Sequence, residues 1–325
     1  MLYLRNIYTL LKNIKLGIFL LLLFLLISCQ KKDTWTKRTD MPTARMGHTA
    51  CVVDGKIYVI GGYKKANAPG LTIVEVYDPA TDTWTTKAPM PTGRRQHAVS
   101  VVNWKIYAIG GYTNFAMPGL SVVEMYDPKI DSWTKKTDMP TARLGLSTGV
   151  VDGIIYAIGG AAKAGEPLNT VEAYDPSTDT WTQKADMPTA RYFFSTGIVN
   201  KKIYTIGGSF GGPNDTLSVV EEYDPLTDIW TKKTDMPSKR FFSPASAVVG
   251  GKIYAIGGAA GYNVLSTIEV YDPIKDTWES LPDMPNPRAS SACVLEDKIY
   301  YIGGPLTVKP PHPAVATVEV FTPYQ

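Results

Sequence analysis

Six arginines recur along the chain at intervals of 48 or 49 residues, each at the end of a Met-Pro-x-x-Arg segment. Guanidinium groups form paired hydrogen bonds with carboxylates, so six of them on one face would attract an anionic ligand. An aspartate precedes the methionine in five of the six segments, as Asp40 does, and a bond to it would instead make each arginine a structural residue. Both interpretations stay open, and the candidate ligand-binding residues are Arg45, Arg94, Arg143, Arg191, Arg240 and Arg288.

Histidines are rare, and two of the three hold equivalent places. His48 and His97 each follow a repeated arginine by three residues, whereas His312 lies elsewhere in the sequence. Two imidazoles without an evident third ligand are weak support for a metal site. We therefore predict no metal and no cofactor, and we place His48 and His97 in a polar rim. No nucleophile elbow, phosphate loop or dinucleotide-binding signature occurs, so no catalytic residue is assigned.

The arginines belong to a repeat that organises the whole chain. Each unit has an apolar run that ends in two glycines, as KIYVIGG does at Gly61 and Gly62, then a Val-Glu-x-Tyr-Asp-Pro segment, and in most units a tryptophan. Alternating apolar positions, two-residue hairpin turns and proline stops predict four short antiparallel strands per unit of about 50 residues. Such a unit is one blade of a β-propeller, and six glycine pairs predict six blades.

Glycine pairs, Tyr-Asp-Pro segments, tryptophans and period together resemble the kelch repeat, over residues 33 to 323. The resemblance implies an all-β, six-bladed kelch β-propeller. The sixth unit lacks a tryptophan strand, whereas residues 33 to 39 form such a strand with no unit before it. We therefore expect the N-terminal strand to be the outer strand of blade six, where it covers an open edge. The repeated glutamates, such as Glu75, are expected to be structural hydrogen-bond partners.

Positions that vary between the repeats are better candidates for ligand contact. The three positions after each arginine should face the mouth of the central channel, and the loops after the glycine pairs should open on the same face. The link candidates are Arg95, His48, His97, Tyr192, Phe193 and Phe241, and the loop candidates are Tyr63, Lys64, Tyr112, Asn114, Phe115, Phe210, Asn214, Tyr262 and Asn263. Arg95 lies outside the six-fold pattern, and we expect it at the surface.

The N-terminal segment has a different composition. Residues 1–28 combine a basic start with an almost unbroken apolar run from Leu16 to Ile27, which is the length of a signal peptide. The run ends in Leu-Ile-Ser-Cys29, which resembles a bacterial lipobox and implies that Cys29 is lipidated; a plain N-terminal anchor is the alternative. The predicted organisation is a signal peptide over 1–28, a lipidated tether over 29–32 and the propeller over 33–325.

Charge and cysteine content narrow the choice of partners. The chain has 33 basic and 30 acidic residues, and the signal peptide holds three of the basic ones, so the mature part has no net charge. Proteins that bind nucleic acids normally have a basic excess, and we exclude that partner. Cys51 and Cys293 are predicted to be buried and free, because equivalent residues of neighbouring blades belong to sheets about 10 Å apart.

These features favour a membrane-anchored binding module, exported and expected to be a monomer, that recognises a protein, peptide or glycan on its loop face. The lipid is the expected membrane contact, at the outer membrane or cell surface. In the kelch-like adaptors that the repeat resembles, matching arginines help to bind acidic peptides. The alternative is a sugar mutarotase of the N-acetylneuraminate epimerase type, which has a similar exported architecture. A carboxylate near the channel would favour the enzyme, and the candidates are Asp215 and Glu166.

Overall fold

The computed structural model describes residues 33–114, 118–163, 165–242, 245–309 and 313–324. These residues form strands and turns, and none of them belongs to a helix that could cross a membrane. The predicted lipidation at Cys29, the loop candidate Phe115 and the third histidine, His312, all lie outside the described residues.

Six antiparallel sheets of four strands surround a central channel, and each innermost strand contacts the innermost strands of both neighbours. This arrangement confirms the predicted six-bladed propeller. From the channel outward, blade one contains β2 (Thr49–Val53), β3 (Lys56–Ile60), β4 (Val74–Asp78) and β5 (Thr83–Lys87). Blade two contains β6 (Ala98–Val102), β7 (Lys105–Ile109), β8 (Val123–Asp127) and β9 (Ser132–Lys136). Blade three contains β10 (Ser147–Val151), β11 (Ile154–Ile158), β12 (Val171–Asp175) and β13 (Thr180–Gln183).

Blades four to six follow the same order. Blade four contains β14 (Ser195–Val199), β15 (Lys202–Ile206), β16 (Val220–Asp224) and β17 (Ile229–Lys232). Blade five contains β18 (Ala245–Val249), β19 (Lys252–Ile256), β22 (Ile268–Asp272) and β23 (Thr277–Leu281). Blade six contains β24 (Ser291–Leu295), β25 (Lys298–Ile302), β26 (Val318–Thr322) and β1 (Thr34–Arg38). A small ribbon of β20 (Ala259–Ala260) and β21 (Asn263–Val264) lies in the loop between β19 and β22.

The N-terminal strand closes the ring, as predicted. Strand β1 pairs with β26, so that Trp35 lies opposite Phe321 and their ring centroids are 5.1 Å apart. The backbone N–H of Tyr324 donates a hydrogen bond of 2.7 Å to the Asp33 carboxylate. Residues from the two ends of the described chain therefore complete one sheet.

Burial follows from the position of each strand in its blade. The second strand is buried on both faces, as in the run Ile57–Ile60, because neighbouring sheets cover it from both sides. The outer strand has mostly exposed side chains. Each core cluster lies between two blades, and one of them packs Tyr58 of blade one against Tyr126 of blade two. Cys51 and Cys293 lie in these layers, and both are buried and free, which confirms the prediction.

Tryptophans fasten five of the six outer strands to the preceding blade. The indole N–H of Trp84 donates to the carbonyl of Thr39 at 3.0 Å, and the Asp82 carboxylate accepts the backbone N–H of Thr39 at the same distance. Four other tryptophans repeat this bond, namely Trp133, Trp181, Trp230 and Trp278. Trp35 differs, because its indole N–H has no hydrogen-bond partner among the described residues.

The alternating strand direction gives the ring two distinct faces. One face carries the turns between first and second strands and between third and fourth strands, such as Asp54-Gly55 and Pro79–Asp82; we call it the hairpin face. The other carries the loops after the glycine pairs and the Met-Pro-x-x-Arg links; we call it the loop face. Strand β1 runs from the hairpin face to the loop face, so Asp33 lies at the rim of the hairpin face.

Trp35→Ala tests how much the closing strand contributes to stability. The change removes the contacts with Phe321 and Tyr301, and we expect the free energy of unfolding to fall by about 3 kcal/mol. Chemical denaturation of the wild type and the variant measures this loss. The control is Leu226→Ala in a fully exposed turn, which should change the free energy by less than about 0.5 kcal/mol. If Trp35→Ala were as stable as the wild type, the proposed contribution of the closing strand to the free energy of unfolding would be contradicted.

Candidate functional site

The six repeated arginines are interior structural residues. In blade one, the Arg45 guanidinium pairs with the Glu75 carboxylate and donates to the carbonyls of Gly61 and Ile73, each at 3.1 Å. Arg45 has no exposed surface. The other blades repeat the ion pair as Arg94–Glu124, Arg143–Glu172, Arg191–Glu221, Arg240–Glu269 and Arg288–Glu319. Each pair thus joins the link, the glycine-pair turn and the third strand of one blade.

The rest of the Met-Pro-x-x-Arg segment completes this arrangement. The Thr43 hydroxyl donates to the second oxygen of Glu75 at 2.7 Å, and the Met41 sulfur accepts the Arg45 Nε–H at 3.3 Å. Asp40, the partner expected from the sequence, instead pairs with Lys37 on the surface at 3.4 Å. The arginines are therefore structural through the repeated glutamates, and the expectation of an aspartate partner is wrong.

These arginines keep their positive charge although they are buried. Burial lowers the pKa of Arg143 and Arg191 to about 10, against the opposing effect of Glu172 and Glu221. Both pKa values stay well above neutral pH, so each buried cation is balanced by its buried anion. The six guanidinium groups consequently present no positive rim at the channel mouth.

Arg95 is also buried, contrary to the expectation of a surface position. Its guanidinium lies between the rings of Tyr63 and Tyr112, at 4.3 and 4.5 Å from the two centroids. It also donates to the carbonyl of Ala68 at 3.0 Å. The side chain therefore clamps the loop of blade one against blade two through cation–π contacts. Truncating Arg95 would remove this contact between the two loops, in addition to any effect on ligand binding.

The central channel is a polar and uncharged cavity of about 200 Å³. Its lining comes from all six innermost strands and from the links that precede them in every blade except blade five, and no lysine, arginine, aspartate or glutamate of the described residues takes part. Hydroxyl groups dominate the lining, at Thr49, Ser147, Thr148, Ser195, Thr196, Ser246, Ser290 and Ser291. The cavity therefore suits an uncharged ligand that makes many hydrogen bonds.

Several of these hydroxyls have a structural duty at the edges of the sheets. Each innermost strand leaves one row of backbone groups without a sheet partner. The Thr196 hydroxyl donates to the carbonyl of Thr148 at 2.8 Å, and the Ser246 hydroxyl donates to the carbonyl of Thr196 at 2.6 Å. Hydroxyls of one blade thus satisfy the strand edge of the preceding blade.

The two histidines line the same cavity and are neutral. Burial, helped by the positive charge of Arg45, lowers the pKa of His48 to about 3. Burial and the charge of Arg94 lower the pKa of His97 well below its usual value. His48 Nε2 lies 3.0 Å from the carbonyl of Ile302, and His97 Nε2 lies 3.0 Å from the Thr49 hydroxyl.

Two lining side chains have a polar atom that remains without a partner. These atoms are His97 Nδ1 and Ser195 Oγ; neither makes a hydrogen bond within the described part of the chain, and both residues are more than nine-tenths buried. Buried polar atoms in native proteins are nearly always satisfied by protein, water or ligand. Their convergence on one cavity makes the channel the candidate site.

Residues with a left-handed backbone conformation surround the mouth of this channel. Gly47 and Gly145 hold the middle link position in blades one and three, at φ values of 59° and 60°. The same position is Gln96, Phe193 and Phe242 in blades two, four and five, at 53°, 54° and 56°. Bulky residues seldom adopt this conformation, and such strain is concentrated at functional sites. Because blades one and three have glycine at this position, an alignment of the links indicates a left-handed backbone at Gln96, Phe193 and Phe242.

The predicted aromatic patch is partly internal. Tyr192 and Phe241 are buried beneath the links, whereas Phe193 and Phe242 are half-buried at the mouth with their rings 5.7 Å apart. Of the loop candidates, Tyr63 is buried and Tyr112 is half-buried. The exposed ones are Lys64, Asn114, Phe210, Asn214, Tyr262 and Asn263. Phe193 and Phe242 are therefore the members of the patch that remain accessible at the channel mouth.

Neither carboxylate candidate lines the channel. Glu166 pairs with Lys163 at 2.8 Å on the surface, and Asp215 is half-buried in the loop after Ser209. Among the described residues, no group of three or more histidine, cysteine or acidic side chains is placed to hold a metal ion.

Six blades around a polar channel, each fixed by a buried arginine–glutamate pair, define a kelch-type β-propeller. The family model described as the KLHDC2/KLHL20/DRC7 Kelch-repeats domain matches residues 21–160 and 136–304. These ranges cover most of the chain, and the chain belongs to this kelch-repeat family. No curated protein sequence matches it. A solved structure described as the structure of YjhT is similar in fold, with a TM-score of 0.75 and 19% identity over 86% of this chain and 95% of the other.

Arg143→Met tests the weight of one buried ion pair. The change leaves the Glu172 carboxylate buried without its cation, and we expect the free energy of unfolding to fall by about 3 to 5 kcal/mol. Adding Glu172→Leu should restore much of the loss, since no charge then stays unpaired. Urea unfolding curves of the single and double variants measure both effects. Lys163→Met, which breaks an exposed pair, should leave the unfolding midpoint unchanged; a comparable loss there would refute the distinction.

Neutral histidines make stability depend on pH. In the unfolded chain their pKa is near 6.5, but in the fold it is far lower, so the unfolded state binds more protons as the pH falls. The free energy of unfolding should therefore decline below about pH 6.5, by up to about 1.4 kcal/mol per pH unit for each histidine. Unfolding curves between pH 7 and about 5.5, above the range in which aspartates and glutamates titrate, measure the slope. A variant with His48→Gln and His97→Gln should be nearly flat in this range, and an unchanged slope would be contrary to this account.

Proposed function

We propose that this protein is a membrane-anchored binding module that holds an uncharged polar ligand, a glycan in preference to a peptide, in the mouth of its central channel. The observation that carries the proposal is the pair of unpartnered buried atoms on His97 and Ser195, both in one hydroxyl-rich cavity. Sugar hydroxyls both donate and accept hydrogen bonds, so they match such a lining.

The mouth supports the same ligand class. Phe193 and Phe242 offer two ring surfaces at the rim, and the apolar face of a sugar ring packs well on an aromatic ring. The loop-face residues Phe210, Tyr262 and Asn263 lie exposed on the same side, where they can contact a longer ligand. The uncharged lining favours a neutral glycan over the anionic ligand that exposed arginines would have attracted.

Binding is better supported than catalysis. A mutarotase needs groups that deliver and remove protons near neutral pH. The titratable side chains in the channel lining are His48 and His97, whose pKa values lie far below that range. The carboxylates that would have favoured the enzyme, Asp215 and Glu166, do not join them.

The anchoring part of the proposal rests on sequence. The apolar run from Leu16 to Ile27 is followed by Cys29 in a lipobox-like context, and the closing strand begins at Thr34. A lipid on Cys29 would hold the propeller at a membrane with its termini at the rim.

Phe193→Gly and Phe242→Gly test the ligand site. Two other blades have glycine at this position with the same backbone conformation, so relief of strain offsets the lost ring contacts. We expect the free energy of unfolding to change by less than about 1 kcal/mol. Calorimetry with the neutral oligosaccharide that binds best on a glycan array should show affinity about tenfold weaker for each variant.

Trp104→Gly is the matched control. Trp104 also has a positive φ, of 64°, at a turn where three other blades have glycine, but it lies on the hairpin face. Its substitution should leave oligosaccharide affinity unchanged. If the array retains peptides and no glycan, the ligand class is wrong; if Trp104→Gly abolishes binding while both phenylalanine variants bind normally, the site is on the other face.

A further inference from the structure

Exposed apolar side chains are unequally divided between the two faces. Nine large hydrophobic residues are exposed in the described part of the chain, and three of them lie in loops of the loop face. The other six lie at turns or strand ends of the hairpin face: Trp104, Ile130, Leu226, Ile229, Ile274 and Tyr324. Leu226 is 93% exposed and Ile274 is 85% exposed, so their side chains project from the fold into the surroundings.

The apolar residues are not required by the turns that carry them. In blades one to five the turn after the third strand has the pattern Asp-Pro-x-x-Asp, and its middle positions hold Ile130 in blade two, Leu226 in blade four and Ile274 in blade five. Blade three has Ser177 and Thr178 at these positions and forms the same turn. Hydrophobic residues at such tips therefore need another explanation than local structure.

The N-terminal segment enters the fold on the same face. Asp33 accepts the backbone N–H of Tyr324 at 2.7 Å, and Tyr324 is one of the six exposed hydrophobic residues. Four peptide units separate Asp33 from Cys29, and they span at most about 14 Å when fully extended. A lipid on Cys29 would therefore hold this rim of the hairpin face close to the bilayer.

We propose that the hairpin face is a membrane-contact surface, with its apolar turn tips inserted in the lipid headgroup region and the loop face directed away from the bilayer. This inference rests on the anchoring at Cys29 proposed above. The chemistry is that of interfacial proteins, in which Trp, Tyr, Leu and Ile residues enter the boundary between headgroups and acyl chains.

A bilayer explains the distribution better than a protein partner does. The tips belong to blades two, four, five and six, so they are spread around the ring instead of forming one patch. Protein interfaces are contiguous, with a desolvated centre, whereas a flat bilayer meets all tips of a ring at once. Aspartates such as Asp82 and Asp131 recur on this face, and the lysine at the start of a second strand pairs with an aspartate, as Lys56 does with Asp78, so the face has no unpaired basic patch at these positions. Insertion should therefore depend on apolar contact and not on anionic lipids.

Bromine quenching tests the orientation with the complete protein. The lipidated chain, purified from membranes, is reconstituted in phosphatidylcholine vesicles with and without brominated acyl chains, and anchorage is verified by flotation. The Trp104 emission is the difference between wild type and Trp104→Phe. We expect brominated lipid to quench most of this emission, and we expect the quenching to be unchanged when anionic lipid or salt is added.

Two triple variants separate the faces. Ile130→Thr with Leu226→Ser and Ile274→Ser uses residue types that other blades tolerate, and it should abolish most of the quenching while flotation persists. Phe210→Ser with Tyr262→Ser and Leu306→Ser, on the loop face, should leave the quenching intact. Flotation without quenching of Trp104 overturns the orientation but not the anchor, whereas loss of flotation in wild type overturns both. Dimers that protect the same tips without vesicles would assign the face to a second copy and also overturn the proposal.

Discussion

The buried pair of arginine and glutamate in each blade is the interaction on which the rest of the structure depends. A guanidinium group without exposed surface bonds the third strand, the glycine-pair turn and the link to the next innermost strand. Removing one partner would leave a charge in the interior, so the two residues depend on each other. Because this frame is complete in itself, the loops above it can change without loss of the blade.

The repeat made the fold predictable, because each unit contains its own turns, strand alternation and proline stops. Ring closure was predictable for the same reason, since the sixth unit lacks a strand that residues 33 to 39 supply. The free, buried state of Cys51 and Cys293 followed from the spacing between sheets. The side-chain environment of charged residues was less accessible. An arginine near a turn has several acidic side chains within reach. The sequence alone therefore does not show that Arg45 pairs with Glu75, 30 residues away, and not with Asp40.

The candidate site was predictable in position but not in composition. The links after the arginines were expected at the channel mouth, and the structure places Phe193 there. Arg95 and Tyr192 were expected at the surface and are buried, because a bridge to the second strand's loop folds each of them inward. Gln96 and Phe242 were missed because their left-handed backbone is visible only when their links are aligned with Gly47 and Gly145. Symmetry therefore builds the ring, and its local exceptions build the site.

The bond between Asp33 and Tyr324 joins residues 291 positions apart, and this has a consequence for the order of folding. During synthesis the first closing strand leaves the ribosome before any blade, yet its partner strand appears last. Blades one to five can form from local contacts, whereas blade six must wait for the whole chain. Contacts of such long range slow folding, because the loop must close before they contribute. Until then Trp35 and the face of blade one that packs against blade six stay uncovered. The fold therefore stays incomplete until strand β26 has been synthesised, and completion of the ring is a single late event.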